Sequence, residues 1–169
     1  MAASKPKTEA VAYPWQRYYY ALQTGHYLTV RTKQRREKMA LFQAQESFDG
    51  ACFLHVFAAV ITILDLAKHD ALADVSRRKY GVPAKVFNAF CYTYFEGIHA
   101  HDFVDLVNNK LVLPLSLTLR QAADGGLDKW TMDNLMHGEL LAVTFASVKN
   151  RRTKHWVLCT GCEGSASGR

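Results

Sequence analysis

A thiol and an imidazole, far apart in the sequence, have the chemistry of a nucleophile and its base. Cys52 stands directly before a long apolar run, and His155 lies near the C-terminus. A cysteine attacks a carbonyl carbon as the thiolate, a form that a helix N-terminus and a nearby imidazolium both favour. The imidazole can then donate a proton to the leaving group. Their separation in the sequence is no obstacle, because the fold brings such pairs together.

Other residues offer competing chemistry. His55 is an alternative base, because it follows Cys52 by about one helical turn. A residue on the same helix, however, lies beside the thiol on one wall of a site and does not face it across a cleft. Cys159 and Cys162 form a CxxC pair, which elsewhere indicates a zinc or redox site. Because the chain has no second CxxC, we expect no metal. Further possible ligands, whose spacing is more typical of a solvated helix face, are His99, His101, Asp102 and Asp105.

The apolar run predicts the element that would position Cys52. Residues 52–68 contain no proline or glycine, and their apolar side chains surround most of a helical circumference. Helices of this kind are normally buried. Ser47 or Asp49 could cap the start, which places Cys52 in the first turn of a central helix.

The other predicted elements are helices followed by a late sheet. Helices are expected over residues 13–22, 83–95, 101–109 and 130–137. Alternating leucines predict a strand over residues 111–120, and Pro114 favours an edge position for it. Residues 139–148 and 155–160 are expected to form a hairpin, with His155 opening its second strand.

Length and composition indicate one globular domain. The chain has 169 residues, of which 49% are hydrophobic and 21% charged, and this argues against disorder. Residues 1–12 resemble a flexible N-terminal segment, which leaves residues 13–169 as the domain. The longest apolar run is shorter than the roughly 20 residues that cross a bilayer, so we expect no transmembrane segment. The sparse cysteines and the lack of a signal-peptide pattern favour a cytoplasmic protein, or one exported without a classical signal.

The net charge of +6 is concentrated in three basic clusters, at residues 31–38, 77–79 and 149–154. Basic residues beside aromatic ones can bind nucleic acid. The chain has no helix-turn-helix, zinc-finger or ribonucleoprotein-type motif. A solvated basic face or an acidic protein partner is therefore favoured over nucleic acid.

The order of nucleophile helix, further helices and a late sheet with a histidine resembles the papain-like cysteine peptidases. It is most similar to their compact branch, the double-glycine leader peptidases of bacteriocin exporters and their stand-alone relatives. The resemblance covers residues 43–164 and is carried by Leu-Met-His-Gly-Glu-Leu-Leu-Ala-Val at 135–143 and His-Trp-Val-Leu-Cys-Thr-Gly at 155–161. In that branch a short helix and a glycine precede a strand, and a loop leads to a histidine followed by apolar residues and Thr-Gly.

The resemblance implies an α+β, papain-like fold, in which a central buried nucleophile helix and further helices pack on a small antiparallel C-terminal sheet. It implies Cys52 as nucleophile, His155 as base and then acid, and no cofactor. It also implies a glutamine shortly before the cysteine as an oxyanion donor, a role that Gln45 fits better than Gln43. The chain departs from the family at Phe53, where a small residue is usual.

The resemblance also implies an Asp or Asn that holds the histidine, and the chain departs from it here as well. After His155 the only acidic residue is Glu163. We therefore expect a Cys-His dyad, an orienting role for an earlier carboxylate such as Asp133, or a chain that is inactive or lacks its last strands.

The function expected from these features is that of a cysteine peptidase or related acyl-thioester hydrolase acting on a peptide or protein. Such a chain would act alone or with a partner, as an effector or toxin. The alternative is a catalytically degenerate peptidase-like domain that binds a protein partner, or with less support a nucleic acid, through its basic surface.

Overall fold

The computed structural model describes residues 12–19, 22–23, 29–30, 39–40, 52–68, 71–72, 79–93, 96–146 and 154–167. The α-helices with defined bounds are α1 (Cys52–Ile63), α2 (Gly81–Phe90), α3 (Ala100–Asp105) and α4 (Leu127–Met136), and a π-helical turn, Leu106–Lys110, directly follows α3. The strands are β1 (Ala12–Tyr18), β2 (Leu22–Gln23), β3 (Thr29–Val30), β4 (Met39–Ala40), β5 (Leu141–Ala146), β6 (Lys154–Cys159) and β7 (Gly161–Ser167). They form small antiparallel sheets, β1–β7, β2–β3–β4 and β5–β6. The described chain is therefore α+β.

The helix α1 begins at Cys52 and is buried, as predicted. Phe53, Phe57 and Ile61 are almost completely enclosed, because apolar residues occupy most of the helical circumference. The helix ends at Ile63, earlier than predicted, where Asp65 adopts a left-handed φ of 57°. No helix in the described ranges is long and apolar enough to cross a membrane.

An aromatic cluster joins α1 to the other helices and to β6. The ring of Phe103, on α3, lies 5.3 Å from the ring of Phe57 and 5.3 Å from the ring of Trp156, both in edge-on geometry. Phe90 adds a further ring at the end of α2. Edge-on pairs stabilise a fold by about 0.5–1.5 kcal/mol beyond the burial of their area. These contacts fix β6 against α1.

The hairpin of β5 and β6 follows α4 through a glycine turn. Gly138 has a φ of 82°, and its N–H donates to the carbonyl of Leu135 at 3.0 Å while the N–H of Glu139 donates to Asn134 at 3.0 Å. This pair of bonds is a Schellman motif, which requires a left-handed residue. The predicted helix, turn and hairpin are confirmed, although α4 begins at Leu127 and so earlier than expected.

The aromatic stretch near the N-terminus is a strand, and our prediction of a helix at residues 13–22 is wrong. Strand β1 pairs with β7 from Ala12 opposite Ser167 to Tyr18 opposite Gly161. Tyrosine and tryptophan suit strands as well as short helices. The partner strand at the other end of the chain decides between the two structures.

The leucine-rich segment from Leu111 to Arg120 is not a strand of any sheet in the described structure, which corrects our prediction. Leu111 has helical backbone angles and Val112 has a left-handed φ of 49°, and beyond them the leucines at 113, 115, 117 and 119 are half-buried while their neighbours are exposed. The predicted alternation of buried and exposed side chains is therefore present in this described segment, but the hydrogen bonds of a strand pair are not. In place of a neighbouring strand, the Asn108 side chain bonds the backbone of Leu117.

Candidate active site

Cys52 occupies the first turn of the central helix. Its residue surface is only 7% exposed, and it belongs to the same buried cluster as Phe53 and Trp156. The first N–H groups of a helix have no acceptor within the helix. The backbone N–H of Cys52 is therefore a donor of the kind that stabilises an oxyanion.

His155 is the second residue of β6, and α1 packs directly on that strand. It pairs with Phe145 of β5, and the two rings are 6.1 Å apart between centroids. The structure thus brings together the two elements that carry the predicted nucleophile and base.

The side chain of His155 lies on the face of β6 opposite to the one that packs on α1. Side chains alternate along a strand, and Trp156 is buried against the aromatic cluster whereas His155 is exposed. Within the described residues, the structure records no hydrogen bond between the Cys52 thiol and the His155 ring. Contact between them requires residue 155 to change to the other face of the strand, which a rotation of its side chain alone does not achieve.

The structure gives less information on the residues predicted to bind the oxyanion or to orient His155. Gln45 and Gln43, the candidate oxyanion donors, lie outside the described residues. Asp133 is exposed on α4, where its carbonyl accepts from the His137 ring at 2.6 Å. Glu163 lies on β7 opposite Gln16. No ion pair between His155 and either carboxylate is recorded in the described part of the chain.

The alternative chemistry has its own geometry. His55 is half-buried on α1, one turn from Cys52. The thiols of Cys159 and Cys162 are both reduced; the Cys162 thiol donates to the Met136 sulfur at 3.7 Å. Burial raises the pKa of the Cys159 thiol, which keeps it protonated and weakens it as a nucleophile or metal ligand.

The predicted solvated helix face is confirmed for the two histidines near α3. The rings of His99 and His101 stack with centroids 5.8 Å apart, and His101 Nε2 lies 3.2 Å from an Asp102 carboxylate oxygen, with side chains 71% and 56% exposed. No group of three potential ligands suited to a metal ion is found in the ranges that the structure covers.

An open cleft of about 770 Å³ lies elsewhere on the same hairpin. It is lined by residues of α3, α4 and β5 and by residues 116–122, and Trp156 contributes to its lining. Neither Cys52 nor His155 lines it. The sequence signal for this cleft was the leucine alternation, which we assigned to a paired edge strand.

Comparison of the chain with protein-family models, with curated proteins and with solved structures finds no match.

Proposed function

We propose that this chain is a cysteine peptidase or a related acyl-thioester hydrolase of the papain-like type, acting through Cys52 and His155. The observation that supports this most is the packing of α1, which begins at Cys52, on β6, whose second residue is His155. Trp156, the neighbour of His155, shares a buried cluster with Cys52. The two residues expected from the sequence thus lie on elements in direct contact.

In the proposed reaction the imidazole takes the thiol proton and the sulfur attacks the carbonyl carbon of a peptide bond. The oxyanion is bound by the backbone N–H of Cys52 and by the side chain of Gln45. When the intermediate collapses, the C–N bond breaks and the imidazolium donates its proton to the leaving amine. Water, deprotonated by the same imidazole, then hydrolyses the thioester and regenerates the thiol.

The exposed position of His155 sets a condition for this proposal. The proposal requires that β6 also adopts, without substrate, an arrangement in which residue 155 faces α1, because the imidazole can activate the thiol only from that face. Phe145, which lies beside the ring, is 49% exposed. The imidazole is therefore not held by burial on its present face.

Alkylation of the individual thiols tests the proposal with an internal control. Cys91 is a free, exposed thiol on the surface, whereas Cys52 is buried. Accessibility alone predicts that iodoacetamide labels Cys91 faster. An activated nucleophile predicts the reverse order, measured by mass spectrometry of the digested protein at neutral pH.

The matched variants are His155→Ala and His101→Ala, each of which removes an exposed imidazole. We expect His155→Ala to slow the labelling of Cys52 by about tenfold or more without changing Cys91, and His101→Ala to change neither rate. Labelling of Cys52 that is slower than that of Cys91 and indifferent to His155→Ala would exclude the Cys-His mechanism.

The second candidate function is a non-catalytic peptidase-like domain that binds a protein partner. One observation favours it: the face of the hairpin that carries His155 also exposes Phe145 and Val157, at 49% and 41%. Apolar side chains of this kind mark interaction surfaces when they are contiguous. A Cys52→Ala variant that keeps full biological activity would support this function over catalysis. A steep loss of binding with added salt would instead indicate nucleic acid.

A further inference from the structure

The segment from Leu113 to Leu119 has the period-two burial of a strand but belongs to no sheet in the described structure. From Leu113 to Leu119 the chain alternates half-buried leucines with exposed residues. In a sheet, the N–H and C=O groups of such a segment would be satisfied by a neighbouring strand. In the described structure, Leu117 is the residue of this stretch whose backbone is hydrogen-bonded.

Asn108 determines which edge of the segment is occupied. Its side-chain amide donates to the Leu117 carbonyl at 2.9 Å and accepts from the Leu117 N–H at 2.8 Å. The N–H and C=O of one strand residue point to the same side, and those of its neighbours point to the other side. Ser116 and Thr118 therefore direct their N–H and C=O groups away from Asn108.

β5, which also lines the cleft, offers a second strand edge. β5 pairs with β6 on one side, and no strand pairs with its other edge in the described structure. The cleft of about 770 Å³ is lined by both Ser116–Ala122 and the length of β5. Large apolar side chains share this lining, among them Phe103, Trp130 and Trp156.

We propose that this cleft binds an extended polypeptide segment, which pairs its backbone with Ser116 and Thr118 and places alternate apolar side chains in the cleft. A peptide is the ligand that fits because the free groups are backbone donors and acceptors at strand spacing, and adding a strand satisfies them. Arg120, the arginine of the lining, already donates to the carbonyls of Asp124 and Gly125 at 3.2 and 2.9 Å. It is therefore engaged within its own turn, and a phosphate-bearing ligand is not favoured.

This peptide site goes beyond the proposed catalytic pair and does not depend on it. Neither Cys52 nor His155 lines the cleft. The binding test below uses the Cys52→Ser protein, so that no peptide can be consumed by the proposed peptidase activity. Failure of the alkylation test would leave the peptide site standing, and failure of peptide binding would leave the Cys-His pair standing.

The probe is a phage-displayed library of random ten-residue peptides, selected on the full chain and then synthesised with a fluorescent label. Affinities are measured by fluorescence anisotropy. Ser116→Pro and Thr118→Pro each remove a backbone N–H, and the proline ring obstructs pairing. The matched controls Ser116→Ala and Thr118→Ala lose the side-chain hydroxyl but keep the N–H.

We expect each proline variant to weaken peptide binding by about tenfold or more, and each alanine variant by less than about threefold. Circular dichroism verifies that the proline variants are folded. If they do not fold, N-methylation of single peptide amides gives the same test on the unchanged protein: methylation at alternate positions should weaken binding, as strand pairing requires. The proposal is overturned if no peptide is enriched, or if neither the proline variants nor any N-methyl group weakens binding.

Discussion

Phe103 joins α3 to both the nucleophile helix and the histidine strand, so its truncation should be among the most destabilising in the protein. The residue is 4% exposed, and its ring has edge-on neighbours 5.3 Å away on α1 and on β6. Burying an aromatic side chain removes about 150–250 Å² from water, which at about 25 cal/mol per Å² corresponds to roughly 4–6 kcal/mol as an upper bound. We therefore expect Phe103→Ala to lower the free energy of unfolding by about 3–5 kcal/mol.

The assay is urea denaturation followed by tryptophan fluorescence and circular dichroism. A small domain has only about 5–15 kcal/mol of stability, so a loss of several kcal/mol can leave too little folded protein to measure. Phe103→Leu is therefore the milder companion variant. It keeps most of the apolar volume but loses the edge-on contacts, and should cost about 1–2 kcal/mol. Phe87→Ala, the same truncation at a residue that is 44% exposed, should cost less than about 1 kcal/mol. If Phe103→Ala and Phe87→Ala unfold at the same urea concentration, α3 does not pack between α1 and β6.

Three further predictions concern the stability of the surrounding elements, measured by urea unfolding. Asn108→Ala removes both bonds to Leu117 and should cost about 1 kcal/mol; an unchanged midpoint would mean that the amide does not hold the segment. Gly138→Ala should also cost about 1 kcal/mol, through its left-handed φ of 82° alone, since an added Cβ meets nothing within 4 Å; an alanine as stable as glycine would contradict this. Burial raises the pKa of Cys159, so the stability contributed by the protonated thiol is complete below the unfolded-state pKa, about 8.5, and lost as pH rises through the folded-state pKa. Unfolding free energy should therefore fall less steeply above about pH 8.5 in Cys159→Ala than in the wild type, and parallel curves would refute the effect.

Local patterns predicted the elements whose partners are close in the sequence. The apolar residues around α1 predict a buried helix, and the structure buries it. The glycine at position 138 predicts the end of a helix, because it can adopt the left-handed conformation that the turn requires. Patterns failed where the partner was distant. The alternation of Leu113 to Leu119 indicates that one side of the segment is buried. It does not indicate whether the backbone N–H and C=O groups bond to another strand, to a side chain such as Asn108 or to a ligand.

The N-terminal aromatic stretch shows the same limit more strongly. Its pairing with β7 joins Ala12 to Ser167, and nothing near Ala12 in the sequence specifies a partner at the other end of the chain. Aromatic residues are compatible with both a helix and a strand, so long-range pairing decides the outcome.

The sequence by itself determined that a cysteine would begin a buried helix and that a histidine would lie at the start of a late strand. Both follow from the periodicity of neighbouring residues, which local sterics and burial translate into structure. Only the tertiary structure decided that this helix packs on this strand, through Trp156 and the phenylalanines. It also decided that the His155 ring faces away from that contact, because the register of β6 against the core sets which side chains point inward.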